Sequence, residues 1–192
     1  RVMLSGKYIV LGVTGGIAAY KSCELVSRLK KLGADVEVIM TENAARFVAP
    51  LTFETLSGKR VITDTFDRNF EYNVKHVSIS KKASLFVVAP ATANLIAKYR
   101  SGIADDMLTT TLLAVKCPVL ICPAMNTAMY EHEATRENIK TLSDRGVHFL
   151  EPECGYLACG DNGKGRMAEP LDIVNKIEEI LAAKKDLTGK TI

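Results

Sequence analysis

The 192-residue chain carries 25 basic and 22 acidic residues, and 47% of its residues are hydrophobic. This length and apolar content suit one compact domain, and the scattered charges exclude a nucleic-acid-binding stripe or a polybasic membrane anchor. No apolar run reaches the ~18 residues that span a bilayer and no signal-peptide pattern is seen, so we expect a cytoplasmic protein that binds small molecules or copies of itself.

Apolar segments rich in β-branched residues alternate with segments of helical period. The predicted strands are 8–13, 36–40, 85–89, 119–122 and 147–150, and the predicted helices are 17–32, 44–56, 92–99, 106–115, 134–145 and 173–181. Strands that are apolar throughout, rather than on one face, are typical of a parallel sheet covered on both sides. We therefore predict an α/β fold, a Rossmann-like (flavodoxin-like) three-layer sandwich with helices on both faces of a central parallel sheet.

Two segments lack a clear period and are predicted to be irregular. They are residues 58–82 and 151–167, and within the second the stretch 154–167 is so rich in glycine that we expect neither strand nor helix there. Long irregular stretches in a compact domain are commonly functional.

The loop after the first predicted strand has the composition of an anion site. In "GVTGGIAAYK", Gly12, Gly15 and Gly16 stand at a strand-to-helix turn, where backbone N–H groups at a helix start can bind an anion. The spacing departs from the dinucleotide fingerprint, and Thr41, followed by Glu42, stands where that fingerprint has an acidic residue. The pattern therefore favours a phosphate group, and the alternative is that the glycines only make a tight turn.

Two further loops follow predicted strands with a proline and then an asparagine. They read "APATAN" and "CPAMNTAM", and their small side chains would let a flat ring lie against the backbone. Taken singly, Asn94 and Asn126 are better explained as helix N-caps, which is a common position for asparagine.

The five cysteines are predicted to be thiols, because an odd number cannot all pair within one chain and cytoplasmic thiols stay reduced. Cys23 and Cys122 fall in predicted core elements. Cys117 and Cys122 repeat the five-residue spacing of Cys154 and Cys159, which raises the possibility of a zinc site. Residues five apart on a strand face opposite sides of the sheet, so we expect no metal, and we assign Cys154 no role.

The motif set resembles one known family. "GVTGGIAAYK", "KHVSIS", "APATANLIAK", "GIADDMLTT", "PAMNTAMY" and "ACGDNGKGRM" occur in the order and at the spacing found in the flavin-dependent cysteine decarboxylases, and the resemblance covers residues 3–181. It implies bound FMN and, in the branch that the motifs match, the substrate 4′-phosphopantothenoylcysteine of coenzyme A biosynthesis. It also implies a decarboxylase domain at 3–183, followed at 184–192 by a linker and the start of a truncated phosphopantothenate–cysteine ligase domain.

The resemblance also assigns residues to sites. The FMN phosphate is expected at Gly15, Gly16, Ile17 and Thr41, and the ring and ribityl chain near Phe53, Ala91, Thr92, Ala93, Asn94, Ala124 and Met125. The expected substrate-binding residues are Asn126, Met129, Ala158, Lys164, Arg166 and Met167. The family builds its sites between the subunits of a trimer, and trimers join into a dodecamer, so His76 is expected to act in a site bound mainly by a neighbouring subunit.

The implied reaction needs an electron sink, because direct loss of CO2 from an acylated cysteine would leave an unstabilised carbanion. A flavin that takes hydride from the carbon bearing the thiol yields a thioaldehyde, which accepts the electron pair as CO2 leaves and becomes an enethiolate; returning hydride gives the saturated product. The resemblance makes His76 a general base or electrostatic partner. Asn126 would orient the substrate carboxylate without adding positive charge.

Cys159 is expected to supply the proton when the enethiol is reduced. Lys164 and Arg166 would favour its thiolate or bind acidic groups of the substrate, and the surrounding glycines would let the loop close over that substrate. Without the resemblance, His76 reads as a solvated surface residue and Cys159 as an idle thiol, and His132 and His148 receive no role.

Two other functions remain as alternatives. A flavin prenyltransferase of the same fold lacks the set formed by His76, Asn126 and Cys159. A flavin-binding regulatory subunit without turnover typically carries acidic tails, which this sequence does not show.

Overall fold

A computed structural model describes residues 4–64, 75–156 and 162–187. Its central sheet consists of β1 (Tyr8–Val13), β2 (Asp35–Met40), β3 (Leu85–Ala91), β4 (Val119–Pro123) and β5 (His148–Phe149). All strand pairs in this sheet are parallel, and the spatial order is β2-β1-β3-β4-β5. The predicted α/β fold is therefore confirmed, and the strand order reverses between β1 and β3, where such sheets bind their ligands.

Nine helices surround the sheet in the described part of the chain. They are α1 (Ala19–Lys31), α2 (Glu42–Ala45), α3 (Pro50–Ser57), α4 (Lys75–Lys82), α5 (Ala93–Ser101), α6 (Met107–Ala114), α7 (Thr127–Glu131), α8 (Glu133–Asp144) and α9 (Pro170–Leu187). A separate antiparallel hairpin is formed by β6 (Glu153–Tyr156) and β7 (Asn162–Arg166). Helix α9 continues past residue 183, where the sequence predicts a domain boundary.

The core consists of two hydrophobic clusters, one on each face of the sheet. Along β1, Leu11 belongs to the cluster that α1, α3 and α9 cover, and its neighbour Val10 to the cluster that α4, α5, α6 and α8 cover. Cys122 lies in the first cluster and Cys117 packs against the second, as expected for residues on opposite faces. Strand β3 is buried along its whole length, which explains its uninterrupted apolar sequence.

The predicted helix over 44–56 is wrong in one respect, because the segment folds as two helices. Pro50 lies in the first turn of α3, where its fixed φ is favourable, but it cannot continue the hydrogen bonding of a preceding helix. Helix α3 then ends at Gly58, whose φ of 74° is left-handed.

The prediction that residues 58–82 are irregular is wrong for the part that forms α4. Only Val77 and Ile79 are apolar in "KHVSISKK", and of these two only Ile79 is buried, so this eight-residue helix shows no recognisable period. Helix α4 packs against α6.

The prediction that residues 154–167 contain no strand is also wrong, since most of β6 and all of β7 lie there. A Cβ atom at Gly163 would overlap the Thr127 hydroxyl, and one at Gly165 would overlap the Met125 carbonyl oxygen. The glycines therefore let β7 approach the loop before α7 directly, a close approach that glycine in a strand commonly marks.

Within the part of the chain that the structure describes, no helix combines the length and the apolar character needed to cross a bilayer.

Candidate functional site

The loops at the carboxyl ends of β1 and β3 are joined by one buried threonine. The Thr14 hydroxyl donates to the Pro90 carbonyl oxygen at 2.7 Å and accepts from the Thr92 backbone N–H at 3.1 Å. Thr14 is only 2% exposed, so these bonds are shielded from water. The sequence motifs give Thr14 no role, although it is the residue between β1 and the glycine pair. Thr14 therefore holds together the ends of β1 and β3, where the strand order of the sheet reverses and a ligand crevice is expected.

The glycine-rich loop fits a phosphate group. A Cβ atom at Gly15 would lie 2.5 Å from the Asn43 Cβ atom, so only glycine allows this close packing against α2, whereas Gly16 faces open space. Ala18 at the N-cap of α1 provides no side-chain cap. Among the described residues, the N–H groups of Gly15, Gly16 and Ile17 donate to no acceptor. Such N–H groups at a helix start bind anions well.

Thr41 lies beside this loop. Its backbone N–H donates to the Val13 carbonyl oxygen at 3.1 Å, and its hydroxyl accepts from the Ala44 N–H at 3.2 Å as the N-cap of α2. Because the hydroxyl acts as acceptor in the cap, its own proton is available to donate to a phosphate oxygen. The residues predicted to bind a phosphate thus converge on the ends of β1 and β2.

The residues predicted near a flavin ring are divided between core and crevice. Phe53 on α3 is fully buried in the first cluster, and Ala91 is fully buried at the end of β3. Ala93 and Asn94 lie in the first turn of α5, and Asn94 is exposed. Thr92, not Asn94, caps α5 by accepting from Leu95 at 3.3 Å. The interpretation of Asn94 as an N-cap is therefore wrong.

The loop after β4 adjoins both the crevice and the hairpin. The Ala124 N–H donates to the Ala91 carbonyl oxygen, and the Met125 N–H donates to the Gly165 carbonyl oxygen, both at 3.0 Å. Asn126 caps α7 by accepting from the Ala128 N–H at 2.9 Å, so the capping interpretation is correct for this asparagine. Because the side-chain carbonyl oxygen accepts that bond, Asn126 would meet a carboxylate through its NH2 group.

The predicted substrate-binding residues separate into two groups. Met129 on α7 is 50% exposed, and Lys164 pairs with Glu151 and lies 5.7 Å from the centre of the Tyr130 ring. The bond from Lys164 to Glu151 raises the Lys164 pKa. Together with Arg136 and neighbouring α7 and α8 residues, Tyr130, Glu151 and Lys164 line a pocket of about 590 Å³.

The second group lies at the far end of β7. Arg166 pairs with Glu169 at 2.6 Å, and the Met167 side chain is fully buried in the first cluster. Lys164 therefore lies with α7, while the Met167 side chain belongs to the core between the sheet and α9.

Three predicted residues are described only in part or not at all. His76 belongs to α4, but its side chain is not described, and Ala158 and Cys159 lie outside the described residues.

Cys154 is exposed on β6. Burial raises the thiol pKa of Cys23 and Cys122, which makes them poor nucleophiles. No group of three or more potential His, Cys, Asp or Glu metal ligands occurs within residues 4–64, 75–156 and 162–187.

Lys21 is a further residue that the sequence analysis did not assign. It is only 7% exposed, and its ammonium group donates to Glu169 Oε1 at 2.8 Å and to the Met167 carbonyl oxygen at 3.4 Å. The available signal was its spacing four residues before Leu25, which places it on the buried face of α1.

The chain belongs to the flavoprotein family: the Flavoprotein family profile matches residues 1–182. A flavin is thus the cofactor class of this fold and site. The predicted resemblance to the flavin-dependent cysteine decarboxylases is also confirmed.

The chain is 52% identical over 192 residues to the coenzyme A biosynthesis bifunctional protein CoaBC of Bacillus subtilis and 43% identical over 189 residues to that of Haemophilus influenzae. These alignments cover 99% and 98% of this chain but 47% of each relative, so the chain spans about half their length.

Two solved structures are similar over most of their length. A PPC decarboxylase variant complexed with pantothenoylaminoethenethiol aligns with a TM-score of 0.80 and 28% identity, covering 90% of this chain and 96% of that one. The FMN-dependent cysteine decarboxylase SpaF aligns with a TM-score of 0.81 and 30% identity, covering 94% and 98%.

Proposed function

We propose that the chain is the decarboxylase part of a coenzyme A biosynthesis protein and converts 4′-phosphopantothenoylcysteine to 4′-phosphopantetheine with FMN. The observation that carries this proposal is the convergence of the uncapped glycine loop and the Asn126 loop on one crevice, through the bonds of Thr14 to Pro90 and Thr92 and of Ala124 to Ala91. The two CoaBC relatives and the PPC decarboxylase structure support the same assignment.

The described residues fit FMN. The N–H groups of residues 15–17 and the Thr41 hydroxyl would hold its phosphate, and the partly buried Ala124 after β4 would lie beside its ring. Bound FMN would supply a reversible hydride acceptor for the carbon bearing the substrate thiol, and so an electron sink for loss of the carboxylate.

Asn126 would hold the departing carboxylate. Its side chain is fixed by the capping bond to Ala128, and its NH2 group can donate to a carboxylate oxygen. A neutral donor orients the carboxylate without the ground-state stabilisation that an arginine would add against loss of neutral CO2.

Two residues are proposed to move protons. His76 would assist as general base or electrostatic partner, and Cys159 would protonate the enethiol as it is reduced. We also propose that Met129, Ala158, Lys164, Arg166 and Met167 contribute to substrate binding. The position of Lys164 beside Tyr130 of α7 supports its part in this role.

We further propose a homo-oligomer, a trimer that assembles to a dodecamer, in which His76 serves a neighbour's site. Large apolar side chains exposed near the starts of α1 and α3 support burial by other subunits: Ile17, Tyr20, Phe47 and Leu51. The bifunctional CoaBC relatives support a fused ligase domain that begins within 184–192, and we place the protein in the cytoplasm, where cysteine thiols stay reduced. Native mass spectrometry giving only a monomer would contradict the assembly.

The first test is turnover of 4′-phosphopantothenoylcysteine by the purified yellow protein, with CO2 and 4′-phosphopantetheine both quantified. We expect Cys159→Ser to release CO2 but to accumulate the enethiol, because the proton donor for reduction is gone. The matched control is Cys154→Ser, whose thiol is exposed on β6 and should leave product formation unchanged.

Three results would contradict the proposal. Flavin retention with no CO2 release would favour a regulatory subunit, and prenylation of the flavin with dimethylallyl phosphate would favour the prenyltransferase. Normal 4′-phosphopantetheine output from Cys159→Ser would remove that thiol from the mechanism.

A further inference from the structure

We propose that Lys21 is a positioning residue, which holds strand β7 against the loop that carries Asn126. The proposal joins two contacts near the C-terminal end of β7: the ion pair of Lys21 with Glu169, and the hydrogen bond from the Met125 N–H to the Gly165 carbonyl oxygen.

The first contact anchors the C-terminal end of β7. The Lys21 side chain is 8% exposed, and its ammonium group bonds both Glu169 Oε1 and the Met167 carbonyl oxygen. Arg166, the last residue of β7, donates to the same Glu169 oxygen at 2.6 Å. Lys21 on α1 thus binds two residues just after the end of β7, and one of them, Glu169, also binds Arg166, the last residue of the strand.

The second contact transmits that position to the Asn126 loop. Gly165 lies directly before Arg166, and its carbonyl oxygen accepts from the Met125 N–H at 3.0 Å. No Cβ atom fits between Gly165 and the Met125 carbonyl oxygen, so the two backbones lie in direct contact. A shift of β7 along its axis therefore displaces Met125, and with it the adjacent Asn126.

The ion pair between Lys21 and Glu169 is explained by positioning as well as by stability. Burying an ammonium group has a desolvation cost that its ion pair often only offsets, so replacing buried pairs with apolar residues is frequently neutral for stability. The glycine loop leads directly into α1, and Lys21 lies in the first turn of that helix. Helix α1 therefore links the phosphate-binding loop to the end of β7. The arrangement couples the flavin end of the crevice to the carboxylate-binding asparagine.

The test compares Lys21→Met with Lys176→Met in the complete flavin-loaded protein. Lys176 pairs with Glu179, three residues further along α9, so it controls for loss of an ion-paired lysine. We expect Lys21→Met to retain its flavin but to raise the exchange rate of the Met125 amide about tenfold, while β1 amides keep their protection. Turnover should fall roughly tenfold in kcat, because a small displacement of an orienting group is costly.

Unchanged Met125 exchange together with unchanged kcat in Lys21→Met would overturn the proposal. A lower melting temperature with normal kcat and normal Met125 exchange would show a purely structural role and would also overturn it. If Lys21→Met does not fold, Glu169→Ala breaks the same link from a side chain that is 40% exposed, and the same two readouts apply. The turnover effect rests on the proposed function; the exchange effect does not, so wild-type inactivity would refute the function alone.

Discussion

Asn126 shows how one side chain can serve both the fold and the proposed chemistry. Its carbonyl oxygen accepts from the Ala128 N–H, and this bond both starts α7 and orients the side chain. An aspartate would cap the helix equally well but would place a negative charge against the substrate carboxylate. Capping and substrate binding, which the sequence presents as alternatives, therefore require the same residue type and are compatible.

Gly165→Ala tests whether the close approach of β7 to the Met125 loop is required. The added Cβ would overlap the Met125 carbonyl oxygen, so the backbones must separate, and we expect a loss of ~1–3 kcal/mol in the free energy of unfolding, measured by urea denaturation. Turnover should fall as well, because the Asn126 loop moves.

Gly155→Ala is the matched control on the same hairpin. Its Cβ would lie 3.8 Å from the Arg166 Cδ atom, an ordinary contact, so stability should change by less than ~1 kcal/mol. Equal losses in the two variants would show that the general cost of replacing glycine in this hairpin, and not the contact with Met125, decides the effect.

At the scale of elements, the strands of the central sheet could be predicted because their burial requires uninterrupted apolar residues. Strand β1 was predicted at its observed bounds, and β3 was short by only two residues, Pro90 and Ala91. The hairpin could not be predicted in this way. Its strands are held by backbone pairing and by contact with the Met125–Thr127 backbone, so glycine replaces the apolar pattern that identifies a strand.

Some residues of the candidate site could be predicted from the sequence and others could not, because only local patterns can be recognised there. Glycine-rich turns and loops that follow strands have local signatures, so the phosphate loop and the Asn126 loop could be found. Thr14 and Lys21 act through partners 76 and 148 residues away in sequence, Pro90 and Glu169, and no local pattern reports such contacts.

Thr14→Val tests the connection between the two loops of the crevice. The change removes the hydroxyl that donates to Pro90 and leaves the Thr92 N–H without its acceptor, so we expect a loss of ~1–3 kcal/mol in stability. Flavin affinity should also fall, because the phosphate loop loses its connection to β3. Chemical denaturation and titration of FMN fluorescence measure the two effects.

Ser22→Ala provides the control for Thr14→Val. The Ser22 hydroxyl is also buried and donates to the Ala89 carbonyl oxygen at 2.7 Å, an acceptor within β3 rather than in the loop that follows it. We expect a comparable loss of stability with unchanged flavin affinity. A parallel fall in affinity would contradict a specific role for Thr14.

At the scale of the whole molecule, the ion pairs that join elements distant in sequence should make stability depend on pH. The hydrogen bond from Lys21 holds the pKa of Glu169 below its usual value of 4.5, and Arg166 adds to this effect. The bond from Lys98 lowers the pKa of Asp105 in the same way, but that pair only joins α5 to the turn before α6. Glu169 instead connects α1, β7 and α9.

Comparing Glu169→Gln with the wild type tests this linkage. A carboxyl group whose pKa is lower in the folded state stabilises that state above its unfolded pKa, and the contribution disappears as the pH falls through the folded value. The wild type should therefore exceed Glu169→Gln in free energy of unfolding by a constant amount from about pH 6 to 8, and the difference should shrink below about pH 4.5. Urea unfolding followed by circular dichroism at each pH measures the difference. A difference that stays constant down to the acid limit would mean that the Glu169 charge does not contribute, and that its packing alone stabilises the junction of α1 and β7.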